Sequence, residues 1–437
     1  MTRLLEYSLK KRYLNSLNIL KGAVMAKKHI ALYIGSLNKG GAERVLVNLA
    51  EYFYGKGYDV TFVTTFLYPD EYEVKNAAWS VVSGEGAGKN AACDVVPGKG
   101  EGSCADKEEA CSSENSITPF DEQGSGIKRI MSGLTSEEES GGRLKNITAR
   151  CDKLKSVWKK IKPDIIISFL GKNNVMALIS SVGLGIPVVV SVRSNPAREY
   201  RSRVLRMAML STFRLSSGVV LQTEGAKAFF PGNIQAKAVI LPNSLDESFI
   251  REVFKGARDK TIVSVGRLDD NKNQGMIIKA FAIASAEHPG YKLVLYGDGP
   301  SKDKFKELAK KLGVAEKVEF AGLVSGVADK ISRAGMFILS SKEEGMPNAL
   351  LEAMALGIPC ISTNCPCGGP ADLIENKVNG RLVPVGATKQ MSECMSEYMD
   401  NPKRAAELGL RASNVQKTYS PKAVNEAWEK YLMGIME

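Results

Sequence analysis

The chain predicts an α/β protein of two Rossmann-like parallel domains that face each other across a cleft. Three observations carry this. Segments such as DIIISFLG (residues 164–171) and PVVVSV (residues 187–192) are continuous apolar runs separated by helical stretches, the pattern of strands buried on both faces. The strand–helix series starts twice, at HIALYIG (residues 29–35) and at TIVSVGR (residues 261–267), with LPNSLD (residues 241–246) as a hinge between. A length of 437 residues also exceeds one ordinary core. The expected boundaries are a basic leader at 1–28, a first domain at 29–245, a second at 246–415 and a closing helix at 416–437.

In order, residues 1–28 are basic, with Leu4, Leu5, Leu9, Leu14, Leu17 and Leu20 along a helical stripe. They read either as a segment lying on an anionic membrane or as a disordered leader ahead of a start at Met25. Residues 29–35 form a strand. Gly40 and Gly41 then open a helix whose apolar face is Val45, Leu49, Ala50 and Phe53. A glycine pair at such a turn leaves backbone N–H groups for a phosphate, although any tight turn can use one. Residues 59–65 are the next strand. From about 70 to 142, Gly, Ser, Glu and Lys dominate without apolar periodicity, so this insertion is expected to be disordered. After a helix halted by Pro163, strands follow at DIIISFLG, PVVVSV, SGVVLQT and KAVILP. Arg193 and Asn195 lie where the second of these ends, and Arg198, Arg201, Arg203 and Arg206 begin a basic helix. That helix is either a solvated face or a patch for a phosphorylated lipid or membrane surface.

The second series opens with Gly266 and Arg267 at a strand end and Lys272 before a helix, two cations suited to holding a diphosphate. Gly297-Asp-Gly299-Pro lacks the third glycine of the dinucleotide fingerprint, which argues against a dehydrogenase. VEFAGLV (residues 318–324) is a short strand and turn. GMFILS (residues 335–340) is a buried strand, and KEEGMPNALLEAMALGIP carries the chain through a loop into a helix ended by Gly357 and Pro359. Ligands of parallel sheets bind at strand carboxyl ends, next to helix N-termini. Glu344 stands at such an end, Gly345 lets backbone approach a ligand, and Glu352 lies in the helix behind. Singly, each glutamate reads as a surface residue.

The whole string E-G-x-P-N-x-x-x-E, with R-x-x-x-x-K before it, resembles the donor site of retaining family 4 glycosyltransferases of the GT-B fold. The resemblance covers about residues 29–68 and 155–434. It implies a hexosyltransferase-type enzyme moving a sugar, with retention, from a nucleotide-diphosphate donor, expected to be a UDP-sugar. The acceptor would be a glycan or a polyprenyl- or lipid-linked chain in cell-surface polysaccharide or glycolipid synthesis. Arg267, Lys272 and Glu344 would be catalytic. Gly40, Gly41, Gly266, Leu323, Gly345, Met346, Pro347, Asn348, Ala349, Leu350 and Glu352 would bind the donor, Leu323 at the base and Glu352 at the ribose. Residues 29–245 would be the acceptor side, 246–415 the donor-nucleotide domain, and the last helix would cross back onto the first domain. Many relatives place a first-domain histidine near the donor sugar. Only His29 and His288 exist here, neither suitably placed, and Arg193 and Asn195 occupy the acceptor-side neighbourhood instead.

Composition bounds the rest. A 44% apolar and 24% charged chain without an eighteen-residue apolar run is expected to be cytoplasmic, peripheral on the inner face of the membrane at most. Eight scattered cysteines, including Cys365 and Cys367, fit a reducing compartment and no zinc loop. No cofactor or metal is expected, since two cations neutralise the diphosphate. The net charge of +11 calls for an anionic partner; with no nucleic-acid motif present, a membrane surface or phosphorylated substrate fits better. Two alternatives stay open: a sugar-nucleotide epimerase of GT-B fold, and a non-catalytic basic membrane- or nucleic-acid-binding protein that keeps it.

Overall fold

The computed structural model describes residues 27–38, 40–68, 71–79, 126–133 and 143–437. Among them, thirteen strands form two sheets. The first holds β1 (His29–Ile34), β2 (Asp59–Thr64), β3 (Lys128–Met131), β4 (Ile165–Phe169), β5 (Val188–Ser191), β6 (Gly218–Leu221) and β7 (Ala238–Ile240). Its order is β3-β2-β1-β4-β5-β6-β7. The second holds β8 (Asp259–Val265), β9 (Lys292–Tyr296), β10 (Val318–Gly322), β11 (Ala334–Leu339), β12 (Cys360–Asn364) and β13 (Arg381–Pro384), ordered β10-β9-β8-β11-β12-β13. Every neighbouring pair is parallel, as in β1 against β4, where Tyr33 stands opposite Ser168, and in β11 against β12.

Burial explains the sheets. All residues of β4, β5 and β6 are buried, because helices cover both faces. The helix Gly41–Gly55 buries Val45, Leu46, Leu49 and Phe53 against the first sheet. The helix Gln274–Glu287 seats Ile277, Ile278 and Phe281 in the core of the second. In each sheet the strand order reverses beside one strand pair, β1/β4 and β8/β11, which opens a crevice at their carboxyl ends.

The expectation of a disordered insertion from about 70 to 142 is corrected in two stretches, 71–79 and 126–133. Lys128–Met131 adds β3 to the sheet edge, parallel to β2. Arg129 is buried there because Glu71 pairs with it at 2.6 Å and Thr64 Oγ1 accepts from its Nε at 3.0 Å. A buried guanidinium needs such a partner, and residues 71–79 supply it. The rest of the insertion, 80–125 and 134–142, lies outside the described residues, as do residues 1–26 of the leader.

The last helix, Pro421–Met436, begins at a Ser420 N-cap whose oxygen accepts from Ala423 N–H at 3.2 Å. Its Trp428 and Leu432 are fully buried in the first-sheet core, with Trp428 stacked on Phe169 at 6.0 Å. The chain therefore crosses between the lobes twice, at 241–246 and again before this helix.

Candidate active site

Gly266, Arg267, Lys272 and the 344–352 stretch gather at the carboxyl ends of β8 and β11. Beyond β8, Gly266 adopts φ +149° and turns the chain under the next loop. Asp269 Oδ1 accepts from the amides of Asn271 (3.0 Å) and Lys272 (2.7 Å), a turn that fixes the backbone of Lys272. Beyond β11, Ser340 Oγ donates to the carbonyls of Lys272 and Asn273, and Lys342 N–H to that of Asn271. The two loops are thus laced together. They bring Lys272 Nζ within 2.6 Å of Glu344 Oε1, which also accepts from Ser341 Oγ at 2.5 Å. Both members of the pair are largely buried, so each needs the other.

Arg267 stands at the mouth. Its side chain is 59% exposed and leans toward Asp269 at 3.7 Å. With Gly266, Tyr296, Gly297 and Leu323 it lines a cavity of 380 Å³ beside the pair. Leu323 is 83% exposed at the cavity edge, a free apolar surface for a flat ring. The loops here touch backbone to backbone: a Cβ on Gly297 would strike the carbonyl of Gly266, and one on Gly299 that of Leu268.

Glu344 is held on its other side as well. Its N–H donates to Pro366 O and its C=O accepts from Cys367 N–H. Pro347 N-caps the helix Asn348–Ala355 with no side-chain cap, so its first turn presents backbone amides, chiefly those of Asn348 and Ala349. The side chains of Met346 and Leu350 lie in the second-sheet core. Moreover, the Met346 amide donates to Gln222 Oε1 at 3.2 Å. Glu352 is only 8% exposed, and its carboxylate meets Arg44 Nη2 of the first lobe at 2.7 Å. Burial pushes the Glu352 carboxyl above its ordinary range, with Arg44 opposing that shift. Gly41, the first residue of the same first-lobe helix, faces Asn348 Nδ2. Gly40 precedes it as the N-cap.

Arg193 and Asn195, the expected acceptor-side pair, lie in the loop that passes Gly345, and both make bonds within the first lobe and hinge. Arg193 is buried at the hinge, donating to Asn243 Oδ1 and to Leu241 O, and lying 5.3 Å from the Phe169 ring. Desolvation pulls its guanidinium down to about 9. Asn195 caps a short helix, its Oδ1 accepting from Ala197 N–H at 3.0 Å. Sequence reasoning missed Arg44, Gln222 and Asn243, which make contacts between the lobes; Asn243 Nδ2 donates to Asn348 Oδ1 at 2.7 Å. Arg44 lies three residues past Gly41, and Asn243 lies within LPNSLD, but no local pattern names their partners. His29 begins β1, at the opposite end of the sheet from the crevice, and His288 lies 3.6 Å from Asp400. Among the described residues, no group of three His, Cys, Asp or Glu side chains is placed to hold a metal ion.

Residues 246–415 match the family described as glycosyl transferases group 1. An uncharacterized glycosyltransferase of Methanocaldococcus jannaschii is 26% identical over 259 residues, 53% of this chain but only 63% of its own length. A Campylobacter jejuni GalNAc-α-(1→4)-GalNAc-α-(1→3)-diNAcBac-PP-undecaprenol α-1,4-N-acetyl-D-galactosaminyltransferase is 26% identical over 287 residues, 64% of this chain and 77% of the relative. Among solved structures, Anabaena HepE in complex with UDP superposes with a TM-score of 0.69 at 17% identity, over 93% of this chain and all of that one. The fold is GT-B: two parallel α/β lobes with the crevice between them.

Proposed function

We propose that this chain, whose residues 246–415 carry a group 1 glycosyl transferase domain in a GT-B fold, is a retaining hexosyltransferase acting on a nucleotide-diphosphate sugar. UDP is the favoured nucleotide, since it is the one held by the Anabaena neighbour. The favoured acceptor is a glycan on a polyprenyl or other lipid carrier, as the Campylobacter relative's name specifies for that protein. The observation that carries the reading is the buried Lys272–Glu344 pair at the point where the second sheet reverses its strand order.

The bond from the sugar's anomeric carbon to the diphosphate breaks, and its electron pair stays on the leaving phosphate oxygen. Lys272 and Arg267 offset that charge, and the first-turn amides of Asn348 and Ala349 add partial positive charge. An acceptor hydroxyl bonds to the anomeric carbon from the same face. Its proton passes to the departing phosphate oxygen, the nearest base on that face. Glu344 orients Lys272 and receives hydroxyls of the donor sugar. The two cations do what a divalent ion would otherwise do, so the reading requires no metal.

The helix Arg203–Thr212 sets Val204 (78% exposed) and Met207 (69%) beside Arg203 and Arg206, a surface suited to an anionic bilayer that carries the acceptor. Among the described residues no helix is long and apolar enough to cross a membrane. Flotation with phosphatidylglycerol vesicles tests this part: the V204D/M207D variant should stay at the bottom while the unmodified chain floats.

The main test replaces Lys272→Ala and Glu344→Ala separately and follows sugar transfer from labelled UDP-sugars. Each should lower kcat by about 100-fold, the scale of removing one electrostatic stabiliser. Near-normal rates in both variants refute the enzyme reading.

A further inference from the structure

We propose that Arg44 is a positioning residue for the donor's ribose: from the first lobe it holds the Glu352 carboxylate in place, so that the nucleotide site of the second lobe is complete only while the lobes touch. This rests on the transferase reading above and adds to it a residue outside the matched domain.

The geometry is a register between two helices. Gly41 and Arg44 are three residues apart on one helix, Asn348 and Glu352 four apart on the other, so each pair lies on a single helix face. Gly41 meets Asn348, and Arg44 meets Glu352 at 2.7 Å. Asn348 is fixed in turn by Asn243, at 2.7 Å. The approach is close: a Cβ on Gly41 would stand 3.3 Å from Asn348 Nδ2, so that side chain would have to shift by a few tenths of an ångström.

Chemistry gives the register a purpose. Glu352 sits in the middle of its helix, away from the helix N-terminus, among buried Leu351, Ala353 and Ala355. A carboxylate there without a cation would be costly to bury and would take up a proton. Arg44 favours its charged form and takes Oε1 through one nitrogen. Oε2 is then left for two vicinal hydroxyls, the group that acidic residues bind in nucleotide sites. A merely structural ion pair between lobes would need none of this, and the two roles separate experimentally.

The full-length chain is titrated calorimetrically with UDP and with 2′,3′-dideoxy-UDP, in wild-type form and as Arg44→Ala. If Arg44 acts through Glu352 on the ribose, R44A weakens UDP binding about 10-fold, the scale of a hydrogen bond to a charged group. Dideoxy-UDP binding then changes less than about twofold. The double variant R44A/E352Q binds UDP no more weakly than E352Q, because the two residues act as one unit. Arg44→Lys, which keeps the charge, is the fallback should R44A fold poorly and should show a smaller loss of the same selectivity. Equal losses for both nucleotides, or none for either, overturn the role of Arg44 while leaving the transferase reading intact. Failure of the wild-type chain to bind UDP overturns both.

Discussion

Glu352 is a buried carboxylate whose charge depends on a side chain from the other lobe. Burial raises its pKa in the folded chain even with Arg44 present. Between the unfolded value and the raised one, the folded protein keeps a proton that the unfolded chain has released, so stability falls as pH rises through that window. Removing Arg44 widens the window, because the opposing charge is gone. The R44A variant should therefore lose about 2–3 kcal/mol at pH 7.5, below the range for a fully buried pair, and lose much less near pH 5. Urea unfolding at the two pH values measures this; a loss independent of pH would mean Glu352 is not the group left unpaired. The same residue shows how far sequence could go. The E-G-x-P-N-x-x-x-E string placed Glu344 at a strand end and Glu352 in the helix behind it, but a string says nothing of a partner 308 residues away. Arg193 misled for a related reason: next to a strand end it looked available to an acceptor, whereas Asn243 and Leu241, fifty and forty-eight positions on, hold it inside.

At the scale of elements, the crevice depends on loops that pass within backbone contact. Gly297 has φ +131°, and any side chain there would meet the Gly266 carbonyl. Gly297→Ala should cost at least about 2 kcal/mol, from positive-φ strain plus the collision, and should weaken UDP binding because Gly266 and Arg267 line the same cavity. Gly232→Ala is the control: it begins a short helix with open space around it, and should stay within about 0.5 kcal/mol of wild type. Denaturant midpoints decide between them, and equal effects would show that the contact is not what makes Gly297 necessary. Most strands were legible because β4, β5 and β11 are apolar runs with no polar alternation to blur them. β3 was not. It is an edge strand of four residues, KRIM, and its buried Arg129 reads as surface until Glu71 is seen beside it. The charge that hid the strand is neutralised by tertiary contact, which no local pattern records.

For the whole molecule, the question is what keeps two separately cored lobes in register. Val415 and Tyr419 pack in the second core and Leu245 N–H donates to Tyr419 O, while Trp428 and Leu432 fill the first core. The closing segment is thus anchored in both lobes a few residues apart, a second strap beside the hinge at 241–246. Two straps on the same side allow opening as a hinge and resist sliding, which the helix register of Arg44 and Glu352 requires. Trp428→Ala tests this coupling. Truncating a fully buried tryptophan costs about 3–5 kcal/mol, and here the loss falls on the first lobe alone. If the strap makes the lobes melt together, wild type unfolds in one calorimetric transition that UDP shifts upward as a whole. W428A should then show two transitions, with UDP raising the later one most, because a ligand stabilises chiefly the unit that holds most of its site. A single transition in W428A, still moved entire by UDP, would show that the polar contacts around Asn243 and Glu352 join the lobes without the strap. Register would then be a property of the cleft rather than of the crossing helix.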